Sequence, residues 1–168
     1  DKSIQQLGLP DEKIKVVRGG VDLSGYVTSE LPMNPPVIGY LCRMNEYFGL
    51  GVLVDAFIHL KRNSEFQNTR LRLTGGYTGD DKLFVNQVKK QLADNAMLQD
   101  VEIWEEFDKS HRIEFLRSLT MLSVPVLGGE AFGAYQVEAL AAGVPIVQPN
   151  VGGYAEFIQT TGGGLIYE

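Results

Sequence analysis

Apolar positions along the chain alternate between two spacings: short unbroken runs, and stretches where they return every three or four residues. The first pattern fits a strand buried on both faces, the second a helix with one apolar stripe. Val37–Leu41 reads as a strand, and Leu50, Leu53, Val54, Phe57 and Ile58 mark a helix from about Gly49 to Arg62. Residues 71–74 predict the next strand, with Leu83, Phe84, Val88 and Leu92 marking the helix after it. A third strand is expected over 101–104. Ile113, Phe115, Leu116 and Leu119 then trace a helix begun near Asp108 or Ser110. Residues 120–124, 145–147 and 164–167 supply the fourth, fifth and a short sixth strand. Between the fourth and fifth, Val137, Leu140 and Ala141 fall at helical spacing, and Gly143 followed by Pro145 ends that helix.

Strands alternating with helices on short loops predict an α/β protein: a doubly wound, Rossmann-like parallel sheet of about six strands with helices on both faces. Ligands in such sheets bind beyond the strand C-termini, where strand order reverses. Ahead of the first strand, Ile14 to Val17 carries a short strand signal, and residues 31–36 (L-P-M-N-P-P) form a joint that suits neither helix nor inner strand.

The 168 residues suit one domain of ordinary size, and a hydrophobic share of 44% excludes disorder. A net charge of −6 argues against nucleic acid as partner, since no basic face is available to neutralise its backbone. The one cysteine, Cys42, permits no internal disulfide and suits a reducing, cytoplasmic setting. No stretch has the length and apolarity of a membrane span, so membrane contact is expected only through parts outside this chain.

The densest chemistry lies in residues 130–158, E-A-F-G-A-Y-Q-V-E-A-L-A-A-G-V-P-I-V-Q-P-N-V-G-G-Y-A-E-F-I. Glu130 and Glu138 stand eight positions apart, with Phe132, Gly133 and Ala134 leading into the helix between them. A helix start offers free N–H groups to phosphate, and carboxylates accept from sugar hydroxyls. Read without reference to any family, Glu130 fits a loop carboxylate capping this helix and Glu138 a solvated helix residue. Arg43 fits a surface arginine, and Trp104 a core tryptophan at a strand end.

The run resembles the signature of the retaining glycosyltransferases of GT-B fold, E-x-F-G-x4-E-A-x-A-x-G-x-P-V-V followed by V-G-G-x-x-E. That resemblance implies the C-terminal, donor-binding half of such an enzyme. Residues 1–36 would then be an inter-domain segment and proline-rich joint, with R-G-G-V-D-L at 18–23 similar to the family's entry into its second domain. Residues 37–168 would be the donor domain, and an N-terminal acceptor domain would lie outside this chain. It also implies a nucleoside diphosphate sugar as donor substrate, no metal or other cofactor, and a sugar, lipid-linked sugar or small molecule as acceptor. Glu130 and Arg43 would then be catalytic. Glu130 would meet the donor sugar, and Arg43 the diphosphate. Glu138 would take both ribose hydroxyls, and the N–H groups of Phe132, Gly133 and Ala134 would assist. Gly39 to Gly49 (G-Y-L-C-R-M-N-E-Y-F-G) resembles the family's G-R-L-x-x-x-K-G loop, so Gly39 joins the donor-binding set; Phe48 stands where the family has lysine. Residues 101–107 (V-E-I-W-E-E-F) are similar to the stretch bordering the nucleobase, which nominates Trp104 for stacking and Glu105 at the family's glycine. Glu156, the final acid of the signature, reads as structural.

No D-x-D sequence occurs, and His59 and His111 read as isolated surface residues, so metal chemistry is not expected. Starting at Asp1, the chain looks cut from something longer, expected to bind donor but transfer nothing alone. The rival reading is a non-catalytic nucleotide or sugar-binding module, a degenerate transferase marked by Phe48 and Glu105. An epimerase or phosphorylase on the same architecture requires no such signature.

Overall fold

The computed structural model describes residues 17, 19–28 and 34–168. The expected early strand at 14–17 falls almost wholly outside them, as do Arg18 and residues 31–33 of the joint; Val17 lies in no strand. Six parallel strands, β1 (Val37–Leu41), β2 (Arg70–Thr74), β3 (Val101–Ile103), β4 (Met121–Leu122), β5 (Ile146–Pro149) and β6 (Gly164–Tyr167), form one sheet in the order β3-β2-β1-β4-β5-β6. Five α-helices connect them among the described residues: α1 (Leu50–Leu60), α2 (Lys82–Asp94), α3 (Lys109–Arg117), α4 (Ala134–Ala141) and α5 (Tyr154–Thr161). The chain steps outward from β1 to β3, then returns past β1 to lay down β4, β5 and β6. Right-handed crossovers put α1 and α2 on one face of such a sheet and α3, α4 and α5 on the other. The packing of α1 on α2 and of α3 on α4 follows that division. Order therefore reverses between β1 and β4, which locates the crevice beyond their C-terminal ends.

Burial explains why these residues make these elements. All five positions of β1 are buried, as a central parallel strand covered on both faces requires. The stripe Leu50, Leu53, Val54, Phe57 and Ile58 of α1 is buried as its spacing predicts. Gly39 sits inside β1, as the strand reading of Val37–Leu41 requires, and a Cβ there would come 2.1 Å from Leu119 Cδ1. The missing side chain lets Leu119 approach the sheet. β4 is shorter than expected. Ser123 N still donates to the Gly39 carbonyl at 3.0 Å, but Val124 N turns to the Gln148 Oε1 at 3.0 Å, ending the ladder. β5 reaches Pro149, where it still pairs with Tyr167 of β6.

Candidate functional site

Three loops meet beyond the switch point: residues 42–49 after β1, 75–81 after β2 and 123–133 after β4. The first and third touch backbone to backbone. Leu127 N donates to the Tyr47 carbonyl at 3.1 Å, and a Cβ on Gly49 would lie 1.8 Å from the Pro125 carbonyl oxygen. The first is also bound to the second, Met44 N donating to the Gly76 carbonyl at 2.8 Å. Buried Tyr40 fixes the shape of the first loop, its hydroxyl 2.8 Å from the Arg43 carbonyl and 3.2 Å from that of Phe48. A cleft of about 470 Å³ opens among Asn45, Glu46, Tyr47, Asp80, Asp81, Phe84 and Leu127. Cys42 is half-buried at the head of this assembly, and burial pushes its thiol up to about 11, so it stays protonated and inert.

Arg43 is held rather than free. Its Nε donates to Asp81 Oδ2 at 2.9 Å, and its Nη2 to Asp81 Oδ1 at 3.2 Å and Thr78 Oγ1 at 2.9 Å. Asp81 in turn accepts from Thr78 N at 2.8 Å, closing a capping box that starts the short helix before α2. The guanidinium, then the Thr78 amide, hold the Asp81 carboxyl down to about 2. The fork leaves Nη1 without a partner among the described residues. Phe48, which stands where the resembled loop has lysine, packs half-buried, edge-on to Tyr47 at 5.4 Å.

At the third loop, Gly133 takes φ 63°, the left-handed region open to glycine, and serves as N-cap of α4. A side chain there would meet Glu130 Cγ at 2.9 Å, so this turn and the Glu130 side chain lie in contact. The Glu130 carbonyl accepts from Gly153 N at 2.8 Å, which fastens the glycine pair before α5 beneath the loop. Glu130 Oε1 accepts from Ala131 N at 3.1 Å. The N–H groups of Phe132, Gly133 and Ala134 make no hydrogen bond among the described residues. Behind them, the Tyr135 and Tyr154 hydroxyls pair at 2.9 Å, and Tyr154 donates on to the Val124 carbonyl at 2.9 Å. Burial pushes the Tyr154 phenol up to about 12.

Glu138 lies one helical turn further and is 6% exposed, which corrects the picture of a solvated helix residue. Its Oε1 accepts from Arg112 Nη2 at 3.0 Å, while Arg112 Nη1 donates to the Phe107 carbonyl at 3.2 Å. Residues 19–28 pass over this pair. The Phe132 ring would lie 3.5 Å from a Cβ on Gly19, Lys109 Nζ reaches Asp22 Oδ2 at 2.5 Å, and Tyr26 stands against Glu138 and Arg112. Burial, then the Glu138 carboxylate, pushes the Tyr26 phenol up to about 12; its hydroxyl makes no hydrogen bond of good geometry among the described residues. No hydrogen bond or ion pair joins Glu130 to Glu138 among those residues. The turn at Phe132 and Gly133 separates them.

The loop after β3 carries Trp104 and Glu105. Trp104 is half-buried, edge-on to Phe115 with centroids 5.5 Å apart and the Arg72 guanidinium 5.8 Å from its ring centroid. This packing fits the reading of Trp104 as a core tryptophan at a strand end. Glu105 is exposed beside it. His111 is not isolated either: its Nε2 lies 2.6 Å from Glu106 Oε2, and its Nδ1 pairs with Asp108, which also caps α3. The Asp108 bond, reinforced by the charges of Asp108, Glu106 and Glu114, raises the imidazole above its ordinary value near 6.5. A raised folded-state pKa contributes stability that is complete below the unfolded value and disappears as pH rises through the folded one. His111→Gln should therefore lower Tm more at about pH 5.5 than at about pH 8.5. Equal losses at both, followed by circular dichroism, would contradict the pairing.

Sequence reasoning missed Asp81, Tyr40 and Arg112. Asp81 was visible as the last residue of T-x-x-D, a capping pattern. For Arg112 no local signal exists, because its partner lies 26 positions away. Among the described residues no group of three or more His, Cys, Asp or Glu side chains is placed to hold a metal ion.

The profile of the family described as glycosyl transferases group 1 matches residues 27–168. The chain belongs to that family. It is 24% identical to the D-inositol 3-phosphate glycosyltransferase of Nocardia farcinica over 172 aligned positions, covering 97% of this chain and 38% of that relative. The chain thus spans well under half of that protein. Among solved structures, Anabaena Alr3699/HepE in complex with UDP and glucose superposes with a TM-score of 0.79 at 19% identity, covering 98% of this chain and 46% of that one. The C-terminal domain of the group 1 glycosyl transferase LpcC from Francisella tularensis gives 0.75 at 18% identity, covering 89% and 80%. At such identities the likeness shows the fold: the Rossmann-like parallel sheet found in GT-B glycosyltransferases.

Proposed function

We propose that this glycosyltransferase chain binds a nucleoside diphosphate sugar across the C-terminal edge of its sheet. The observation that carries the reading is the set of unoccupied N–H groups at Phe132, Gly133 and Ala134 opening α4, with Glu130 against them. A diphosphate satisfies such donors, and the dipole of α4 favours its charge. Arg43 adds a guanidinium from the neighbouring loop, aimed by Asp81. Glu130 accepts from donor-sugar hydroxyls and Glu138 from the ribose diol. The solved neighbour with UDP and glucose supports this choice of ligand class.

The whole protein would transfer the sugar to an acceptor with retained configuration, without a metal, the acceptor being held by a further domain. Because the chain covers 38% of the relative's length, it should bind donor and transfer nothing alone. Fixed donors meeting the charge that develops on the leaving diphosphate are the main catalytic device available here. Arg43→Ala should weaken binding of UDP, GDP or ADP about tenfold, a charge-assisted bond being worth about 1.5 kcal/mol, and leave the bare nucleoside unaffected. Calorimetric titration of both ligands checks this; equal loss for both would remove Arg43 from the phosphate site.

A further inference from the structure

Arg112 is the residue in this region that the donor reading leaves without a task. It stands in the first turn of α3, its side chain 32% exposed, and spans two pieces of the site that no other hydrogen bond connects among the described residues. Nη1 donates to the carbonyl of Phe107, the last residue before the α3 cap; Nη2 donates to Glu138 on α4. A planar guanidinium holds two acceptors in fixed relative positions, which a flexible ammonium does not. Tyr26 lies against both Glu138 and Arg112, yet its hydroxyl makes no hydrogen bond of good geometry to the carboxylate. The orientation of Glu138 is therefore set from the α3 side.

We infer that Arg112 is the positioning residue for nucleotide recognition: it aims the Glu138 carboxylate at the ribose hydroxyls and fixes the Phe107 loop at a set distance from it. This rests on the donor reading above, in which Glu138 meets the ribose. A carboxylate accepts from both hydroxyls of a vicinal diol only when its plane is held; released, it swings to water and the second contact is lost. Arg112 acts through Glu138 and touches no reacting atom.

The test is discrimination between ribose and deoxyribose. UDP, GDP and ADP and their 2′-deoxy counterparts are titrated into the 168-residue chain, its Arg112→Gln and Arg112→Lys variants, and Glu138→Gln. The unmodified chain should prefer the ribonucleotide about tenfold, one hydrogen bond to a charged group being worth about that factor. Arg112→Gln should bring the preference near unity, as Glu138→Gln does, and the double variant should lose no more than either alone. Arg112→Lys keeps the charge against misfolding but lacks the fork, and should lose at least half of the preference. A general weakening of the fold would lower both affinities together and leave their ratio intact. An unchanged ratio in folded Arg112→Gln or Arg112→Lys would overturn this inference alone. Absence of nucleotide binding by the unmodified chain would overturn the donor reading and this inference with it.

Discussion

Replacing Gly49 by alanine is expected to cost about 4 kcal/mol and to part the two loops that frame the crevice. Two independent effects combine. The left-handed φ of 76° at Gly49 is strained for any residue with a Cβ, by about 1 kcal/mol. The added carbon would also fall 1.8 Å from the Pro125 carbonyl oxygen, a backbone atom with no rotamer to give way. Relief requires moving the loop after β1 or the loop after β4, and the Leu127–Tyr47 hydrogen bond breaks either way. Gly162 supplies the control: its φ is 66°, but nothing lies within 4 Å of its Cβ, so Gly162→Ala carries the strain alone. In a chain of this size 1 kcal/mol moves Tm by about 2–4 °C. Gly49→Ala should thus melt about 10 °C lower, Gly162→Ala only about 3 °C lower. Equal shifts would mean that the contact between the loops is not tight.

The second large effect is expected at Glu138. Glu138→Ala strips Arg112 of its carboxylate partner in a place where that partner is nearly buried. Breaking a buried pair costs about 3–5 kcal/mol; because Arg112 remains about a third exposed to water, about 2 kcal/mol is the better figure here. Tm should fall by about 4–8 °C, and any stabilisation by a nucleoside diphosphate should vanish with it. Glu138→Gln separates the two consequences: it restores a hydrogen-bonding side chain and most of the stability, but not the charged acceptor for the diol. A Glu138→Ala variant that melts unchanged would show the ion pair to be idle. One that still responds fully to nucleotide would take Glu138 out of the ribose site.

The strand–helix alternation was legible because burial and period coincide. Val37–Leu41 and the Leu50, Leu53, Val54, Phe57, Ile58 stripe carry little ambiguity, and Gly143 with Pro145 marks the end of α4 plainly. The signature around Glu130 and Glu138 located the helix start, since glycine at a left-handed N-cap leaves a local trace. Residue roles were harder where they depend on tertiary partners. Gly39 is required by Leu119, far along the chain, and Trp104 is turned inward by Phe115 and Arg72. The pairing of Arg43 with Asp81 and of Glu138 with Arg112 spans 38 and 26 positions. No periodicity encodes such pairings. His111 shows the converse, for its partners Glu106 and Asp108 were near in sequence, yet only the turn into α3 brings both to one ring.

The central claim is that the amide-lined turn opening α4 accepts an activated sugar nucleotide. Thermal unfolding of the chain with UDP, GDP and ADP, and with a sugar diphosphate of each base, tests it most directly. At a hundred times the dissociation constant a bound ligand stabilises by about 2.7 kcal/mol. One base series should raise Tm by about 5–10 °C, the shift disappearing in Glu138→Ala. No shift with any of the six ligands, from a chain that unfolds cooperatively, would contradict the account.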